Sequence, residues 1–310
     1  MKLIVICGAT ATGKSDLAIS LAQQIDAEII NADSMQLYRG MDIGTAKLTL
    51  EERQEIPHHL LDVLEVTEDA NVAWYQGQAR AKISEIQSRG KSVVIVGGTG
   101  LYIKAILDEL NFPDTNPAVR EALEKEAEEL GAHVLFERLE KLDPAAALAI
   151  DRANTRRIIR ALEVIEITGK PFTANLPRKD SELYPTARQF GLVMDREALG
   201  ERISDRVDRM YAAGLVEEVD RCIAAGITSA RTAQLALGYA QVIAMRRGDL
   251  TLDAAIEETK RATRQYARRQ ETWFSRDARI KWISPIQPRL EIILQEIELP
   301  NHDCNLWPRY

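Results

Sequence analysis

Two textures alternate along this chain. Short, almost wholly apolar runs rich in β-branched residues are separated by longer stretches in which apolar residues recur every third or fourth position. Leu3–Cys7 and Ser92–Val96 are runs of the first kind, and each ends in glycine. A strand that is apolar on both sides is one buried on both faces, as in a parallel sheet. Ala27–Ile30 is a third run and ends at Asn31-Ala32-Asp33-Ser34. Helical periodicity occupies Lys14–Gln24 and Ala73–Ser88 between them. Strand–helix–strand alternation at this spacing predicts βαβ units and an α/β fold, a parallel sheet flanked by helices.

The pattern changes after Leu110. Asn111-Phe112-Pro113-Asp114-Thr115-Asn116-Pro117 is rich in turn formers. Helical segments follow at Ala118–Leu130, Ala132–Leu142, Ala145–Ile150 and Thr155–Thr168, closing at Gly169-Lys170-Pro171 and a polar loop through Pro177 and Pro185. No run in this block reads as a buried parallel strand, so residues 112–186 are expected to form a helical insertion in a core made of 1–111 and 187–310. The α/β texture resumes with a strand at Gln189–Met194. Helices are expected at Leu199–Ala213, Val216–Ala225, Thr232–Arg247 and Leu252–Phe274, and a last strand at Arg279–Ile283. The segment Pro300–Tyr310 has no periodicity and is expected to be loosely held.

The 310 residues are 45% hydrophobic, enough for a large core or a core plus a smaller domain. A formal net charge of -7 argues against a nucleic-acid partner unless the basic residues cluster. Cys7, Cys222 and Cys304 are far apart and form no CxxC pair, which suits a reducing compartment and offers no zinc site. The apolar run at the N-terminus is too short for a signal segment, and no stretch approaches a membrane span. A soluble, cytoplasmic protein without membrane association is expected.

Gly8-Ala9-Thr10-Ala11-Thr12-Gly13-Lys14-Ser15 fits G-x-x-x-x-G-K-[ST] at each fixed position, after a strand and before a helix, and predicts a P-loop core of the NTPase type. Glycines let successive N–H groups turn inward onto phosphate oxygens, and the helix N-terminus adds positive potential. Lys14 supplies a full charge, and the Ser15 hydroxyl can ligate Mg²⁺. The motif binds a diphosphate or a nucleotide without saying which. A second strand of an ordinary P-loop ATPase ends in a carboxylate that supports Mg²⁺. Here Ser92–Val96 runs into Gly97-Gly98-Thr99-Gly100 with none. That loop offers close backbone approach and the Thr99 hydroxyl, or it is a plain tight turn.

Together with the P-loop, Asp33-Ser34-Met35-Gln36-Leu37-Tyr38-Arg39 and Gly97-Gly98-Thr99-Gly100-Leu101-Tyr102 resemble the tRNA dimethylallyltransferases (tRNA isopentenyltransferases). So do Asn154–Glu163, Gly214–Val219, Gly238-Tyr239 and Thr263–Gln270. The matches run in family order over about 8–275, and the Asp33–Arg39 and Thr263–Gln270 strings are the specific ones. Eukaryotic members often carry a C-terminal zinc module. This chain has no cysteine–histidine spacing for one and resembles the shorter bacterial type. The resemblance implies transfer of the dimethylallyl group of dimethylallyl diphosphate to N6 of adenosine 37, in tRNAs reading codons that begin with U. The products would be N6-dimethylallyladenosine and pyrophosphate, with Mg²⁺ as cofactor and a monomeric enzyme.

Within that reading Asp33 is the base that accepts the N6 proton, although an aspartate there also suits a cap on the next turn. Thr99 would lie near the transferred carbon or the bridging oxygen. Lys14 and Arg206, with Arg202 a turn earlier, would stabilise the leaving diphosphate, unless those arginines line a solvated helix face. Enzymes acting on a base amine generally flip the base outward. Asp33, Ser34, Met35 and Gln36, with Thr99, are expected to receive it, Gln36 having the donor–acceptor pair that suits an adenine edge. The resemblance places Arg120, Arg156, Arg157, Ile158, Ile159 and Arg160 of the insertion against the anticodon stem-loop. The spacing of Arg156, Arg157 and Arg160 predicts one positive stripe.

Between Thr259 and Lys281 lie Lys260, Arg261, Arg264, Arg268, Arg269, Arg276, Arg279 and Lys281, against only Glu271 and Asp277, with Tyr266 and Trp273 interleaved. A basic face in an acidic protein suits a phosphate backbone. The alternative is a solvated amphipathic helix with its aromatics in the core, the reading preferred for Trp273. His58-His59 is not expected to hold a metal, since adjacent side chains diverge on regular elements. Three rival functions remain: a small-molecule kinase, a prenyltransferase acting on free adenine nucleotides, and an RNA-binding regulator with the P-loop as a switch.

Overall fold

The structure is a computed structural model that describes residues 1–175 and 182–299. It contains two compact units, Met1–Leu107 with Tyr184–Tyr310, and Asp108–Leu183.

The first unit begins β1 (Leu3–Gly8), α1 (Lys14–Gln24), β2 (Ala27–Asn31), β3 (His58–His59), α2 (Val72–Ser88), β4 (Ser92–Val96) and α3 (Gly100–Leu107). The second unit holds α4 (Pro117–Leu130), α5 (Ala132–Leu142), α6 (Pro144–Ala149) and α7 (Thr155–Thr168). The first then resumes with β5 (Arg188–Leu192), α8 (Arg196–Ala212), α9 (Leu215–Ala224), α10 (Tyr239–Arg246), α11 (Leu252–Phe274), β6 (Ile280–Ile283) and α12 (Arg289–Glu298).

The sheet has six strands in the order β3-β2-β4-β1-β5-β6, and every pairing is parallel. Alternation along β1 sorts its side chains between two cores. Leu3, Val5 and Cys7 join a layer with α2, α3, α9 and α10, whereas Ile4 and Ile6 meet α1 and α12. Both faces of the sheet are thereby covered, which is why its central strands carry no polar alternation. Between β4 and β5 in the chain, the second unit builds its own core from Leu123, Leu135, Leu139, Ile158 and Leu162.

Several elements depart from expectation. The stretch expected as one helix, Thr232–Arg247, is a 3-10 turn at Ala233–Leu235 and then α10. Gly238, at φ 86, separates them. α12 was not anticipated, although Leu290, Ile293 and Ile297 give it an apolar face against α1. Its N-terminus follows Pro288 with no side-chain cap, so the usual start signal is missing. Trp273 is 42% exposed rather than in the core. Its indole lies against the backbone of Gly100, where a Cβ would come within 2.0 Å of the ring. His59 Nε2 pairs with the Glu28 carboxylate at 2.6 Å, and His58 Nδ1 meets the Ile56 carbonyl at 2.7 Å.

Burial pushes the Cys7 thiol up to about 12 and Cys222 to about 11, so neither is a nucleophile at neutral pH. Cys304 and the Pro300–Tyr310 segment lie outside the described residues. Among the described residues no helix is long and apolar enough to cross a membrane.

Candidate active site

Parallel sheets place ligands at the carboxyl ends of their strands. Three such ends, those of β1, β2 and β4, bring the chemistry together here.

β1 ends in the P-loop. Ala11 there has φ 64, a left-handed conformation that a β-carbon makes costly and that functional loops tolerate. Gly13 caps α1 without a side-chain hydrogen bond, so the first N–H groups of the helix are left for an anion. The Lys14 ammonium donates to the Ala9 carbonyl at 2.6 Å, and the Thr12 hydroxyl donates to the same oxygen at 2.9 Å. The Ser15 hydroxyl has no hydrogen-bond partner among the described residues. Burial and the nearby Arg206 charge bring Lys14 down to about 8. A bound diphosphate would raise it again.

β2 ends at Asn31, and the next residues hold Asp33 firmly. Asn31 Oδ1 accepts the Asp33 N–H (2.9 Å), and Asn31 Nδ2 donates to the Asp33 carbonyl (2.9 Å) and to that of Leu60 (3.0 Å). Asp33 Oδ1 accepts the Met35 N–H at 3.0 Å, so the turn-cap reading is satisfied as well. Burial raises the Asp33 carboxyl above its ordinary value, opposed by the Met35 N–H and the charges of Lys14 and Arg206. Among the described residues neither cation is within ion-pair distance of it. A half-buried, incompletely paired carboxylate is a stronger base than an exposed one.

β4 ends at the Gly97-Gly98-Thr99 loop, which is more than a tight turn because it opens α3. The Thr99 carbonyl accepts from Tyr102 and Ile103 of that helix, its N–H donates to the Ala32 carbonyl, and its Oγ1 accepts the Ser34 N–H at 3.1 Å. Asp33 and Thr99 are thus joined through Ala32 and Ser34.

From α8, an Arg206 Nη lies 3.4 Å from the Thr10 hydroxyl. Burial first, then Arg209 and Arg202, lower its pKa, with Asp33 opposing. Arg202 is exposed, and its charge is felt by both Arg206 and Arg289. Ala9 packs under the loop with Leu199, Ile203 and Ala267. Gln36 donates its side-chain amide to the Thr45 (3.0 Å) and Ala46 (3.4 Å) carbonyls, so that amide nitrogen is engaged within its own loop.

That loop is pinned in turn by Glu218. Its carboxylate accepts the N–H groups of Asp42 (3.1 Å), Ile43 (2.9 Å) and Gly44 (3.1 Å) and the Tyr239 hydroxyl. Asn31 and Arg289 carry no motif that marks them in the sequence, and Glu218 and Gln270 lie in family-like strings that by themselves give them no role. Gln270 accepts from Thr10, and Arg289 donates to the Thr12 carbonyl at 3.0 Å.

The cations expected at the RNA divide. In the second unit Arg120 and Arg160 face the buried Glu163 carboxylate at 2.6 and 2.9 Å. Ile158 and Ile159 are core residues, because an apolar face of α7 must be covered by α4 and α5. Arg156 and Arg157 are exposed and have no acidic partner among the described residues, so the expected three-arginine stripe is reduced to these two.

On α11, Lys260 pairs with Asp208 and Glu257, and Arg261 with Glu258. Beyond it Arg279 pairs with Asp277, and Lys281 with Glu296. Half of the basic face is therefore paired, and Lys260, Arg261 and Lys281 meet acids that a count within Thr259–Lys281 leaves out. Arg268 and Arg276 remain exposed, and Arg269 stacks 5.6 Å from the Tyr266 ring. Burial and the Asp33 charge push Tyr266 up to about 12.

Comparison with known proteins points to one family. The family model described as IPP transferase matches residues 36–277. A tRNA dimethylallyltransferase of Streptomyces griseus is 56% identical over 282 residues, spanning 91% of this chain and 90% of that one. One from Thermobifida fusca is 56% identical over 293 residues, spanning 93% and 91%. The crystal structure of the tRNA isopentenylpyrophosphate transferase of Bacillus halodurans superposes with a TM-score of 0.70 at 38% identity, over 96% of this chain and 97% of that one. A eukaryotic dimethylallyltransferase, described as acting on tRNA, gives a TM-score of 0.77 at 29% identity, over 91% and 73%. With a P-loop, an Asp33 carboxylate and a Thr99 loop at adjoining strand ends, and with relatives this similar over nearly its whole length, the chain belongs to the IPP transferase family of tRNA dimethylallyltransferases.

Proposed function

We propose that the protein transfers the dimethylallyl group of dimethylallyl diphosphate to N6 of adenosine 37 in tRNAs reading codons that begin with U. The observation that carries this reading is the adjacency of two groups. The P-loop, with Lys14 and with Arg206 at the Thr10 hydroxyl, stands beside the Asp33 carboxylate, which has no ion-pair partner among the described residues.

In the reaction the adenine N6 attacks C1 of the dimethylallyl group. The N6–C1 bond forms as the C1–O bond breaks, pyrophosphate departs, and the N6 proton passes to the Asp33 carboxylate. N6 is a weak nucleophile because its lone pair is delocalised into the ring, so both ends of the reaction need help. Lys14, Arg206 and the P-loop amides stabilise charge growing on the leaving group, and a preorganised site does so without reorganising. Asp33 orients the amine by accepting its hydrogen bond and then takes its proton. Thr99, tied to the Asp33 segment through Ala32 and Ser34, is assigned to the neighbourhood of the transferred carbon. Ser34, Met35 and Gln36 are assigned to the extruded base.

The free Ser15 hydroxyl fits one ligand position of Mg²⁺, and no cluster of three or more His, Cys, Asp or Glu side chains among the described residues competes for the metal. A cation that keeps waters and binds substrate phosphates suits this donor set. When bound, it would neutralise charge on the diphosphate.

Arg156 and Arg157 are the proposed contacts to the anticodon stem-loop backbone, and we expect the enzyme to act as a cytoplasmic monomer. Incubation with labelled dimethylallyl diphosphate and an anticodon stem-loop, followed by nucleoside mass analysis, tests the reading. Dimethylallyladenosine at position 37 is the expected product. ATP consumption with a small metabolite and no transfer to RNA would contradict it.

A further inference from the structure

We propose that Gln270 is a positioning residue for the transfer, a strut that fixes the diphosphate loop at a set distance from the Asp33–Thr99 pair. The inference rests on the reading of the site given above.

Gln270 lies on α11 and is 4% exposed. Its Oε1 accepts the Thr10 N–H at 2.9 Å, and its Nε2 donates to the Gly98 carbonyl at 2.9 Å. A carboxamide carries donor and acceptor on one rigid plane, so the two loops it joins are held at a separation set by covalent geometry. Both loops matter to the chemistry. Thr10 is the residue whose hydroxyl meets Arg206. Gly98 directly precedes Thr99, which is tied to Ala32 and Ser34 on either side of Asp33.

The fit at Gly98 is close. A Cβ there would stand 2.1 Å from Gln270 Nε2, while the next obstacle beyond that side chain, the Gly8 carbonyl oxygen, is 3.6 Å away. A side chain at 98 would therefore displace the Gln270 amide. One turn earlier on the same helix, Ala267 packs with Ala9 under the P-loop, so the strut stands on a fixed base. With both ends of its amide used internally, Gln270 acts through the loops and not on substrate.

Gln270→Leu and Gln270→Glu, the second keeping the volume and the acceptor but losing the donor, test this. Steady-state kinetics with dimethylallyl diphosphate and an anticodon stem-loop are read beside circular-dichroism melts. The expected result is a kcat reduced about 10- to 100-fold, as small misplacement of reacting groups costs, with KM for the stem-loop little changed and both variants folded at the assay temperature. Gly98→Ala should be as damaging in the wild-type background, yet add little to Gln270→Ala, where the space is free. Such non-additivity is the signature of two residues acting through one contact.

Wild-type kcat in either folded Gln270 variant would overturn the proposal. So would additive effects of Gly98→Ala and Gln270→Ala. If the wild-type protein transferred nothing to RNA, the reading of the site would fail instead, and that outcome is seen before any variant is made.

Discussion

Asp33 and Glu163 are both carboxylates set among cations, and their environments are opposites. Glu163 in the second unit is fully buried. It accepts from Arg120 at 2.6 Å, from Arg160 at 2.9 Å and from the Asn116 N–H at 3.0 Å. Those bonds outweigh burial and hold its pKa below the usual carboxylate range. Asp33 has Lys14 and Arg206 near but not in contact, and burial prevails, so its pKa rises. A carboxylate whose lone pairs are filled by the protein is a structural tie. One whose neighbours are held a little apart is left able to accept a proton, and the cations beside it are left to receive an anion.

The sharpest way to break this contrast is to neutralise each carboxylate. Asp33→Asn should lower kcat by about 10²- to 10⁴-fold, the usual worth of a general base, while leaving thermal stability equal or slightly higher. Glu163→Ala should do the reverse. It leaves Arg120 and Arg160 facing each other across a cavity, and should destabilise the second unit by about 3–5 kcal/mol, the scale for breaking a buried pair. Melting curves and kcat per folded molecule separate the two. Loss of chemistry with Glu163, or of folding with Asp33, would erase the distinction.

Lys14→Met sharpens the other half of the comparison. The folded-state pKa of Lys14, about 8, lies below its ordinary 10.5, so its charge opposes folding in the free protein. Wild-type stability should therefore gain as pH rises from about 8 toward 10.5. In Lys14→Met that gain should vanish, the free protein should be more stable at neutral pH, and dimethylallyl diphosphate binding should be lost. Glu163 has the opposite sign. Its depressed pKa contributes stability above the unfolded value that is lost as pH falls through the folded one, and Glu163→Gln should flatten that part of the acid-unfolding profile.

The smallest effect is expected from Arg156→Ala with Arg157→Ala. Stem-loop KM should rise and the slope of log affinity against log salt should fall by about 1–2 units, since single-stranded and duplex phosphates each release counterions on contact. An unchanged slope would remove these residues from the RNA surface.

Much of the core was legible because it is local. The P-loop occupies adjacent positions, and the strands betray themselves as unbroken apolar runs. The helices of the second unit follow from periodicity, with Pro or Asn at the starts of α4, α6 and α7. What escaped is long-range. Gln270 meets Thr10 across 260 positions. Glu218 completes a loop around Asp42–Gly44 from another helix. Lys260 meets Asp208 of α8, far from it in sequence, whereas the Glu258 partner of Arg261 is local and lies just outside the stretch that was counted. Arg120 was expected at the RNA, and Arg160 in the stripe with Arg156 and Arg157, because nothing local shows that the Glu163 carboxylate pairs with both. Chemical type is written in the sequence; whether a charge is already satisfied is decided by elements that meet only in the fold.

The acid limb of single-turnover transfer to an anticodon stem-loop, measured in wild type and Asp33→Asn, bears most directly on the role of that carboxylate. The rate should fall as pH drops through a value above the ordinary aspartate range, because the ionised form is the active one, and the limb should be absent in the slow variant. A wild-type rate in Asp33→Asn, or the same acid limb in both proteins, would contradict the account.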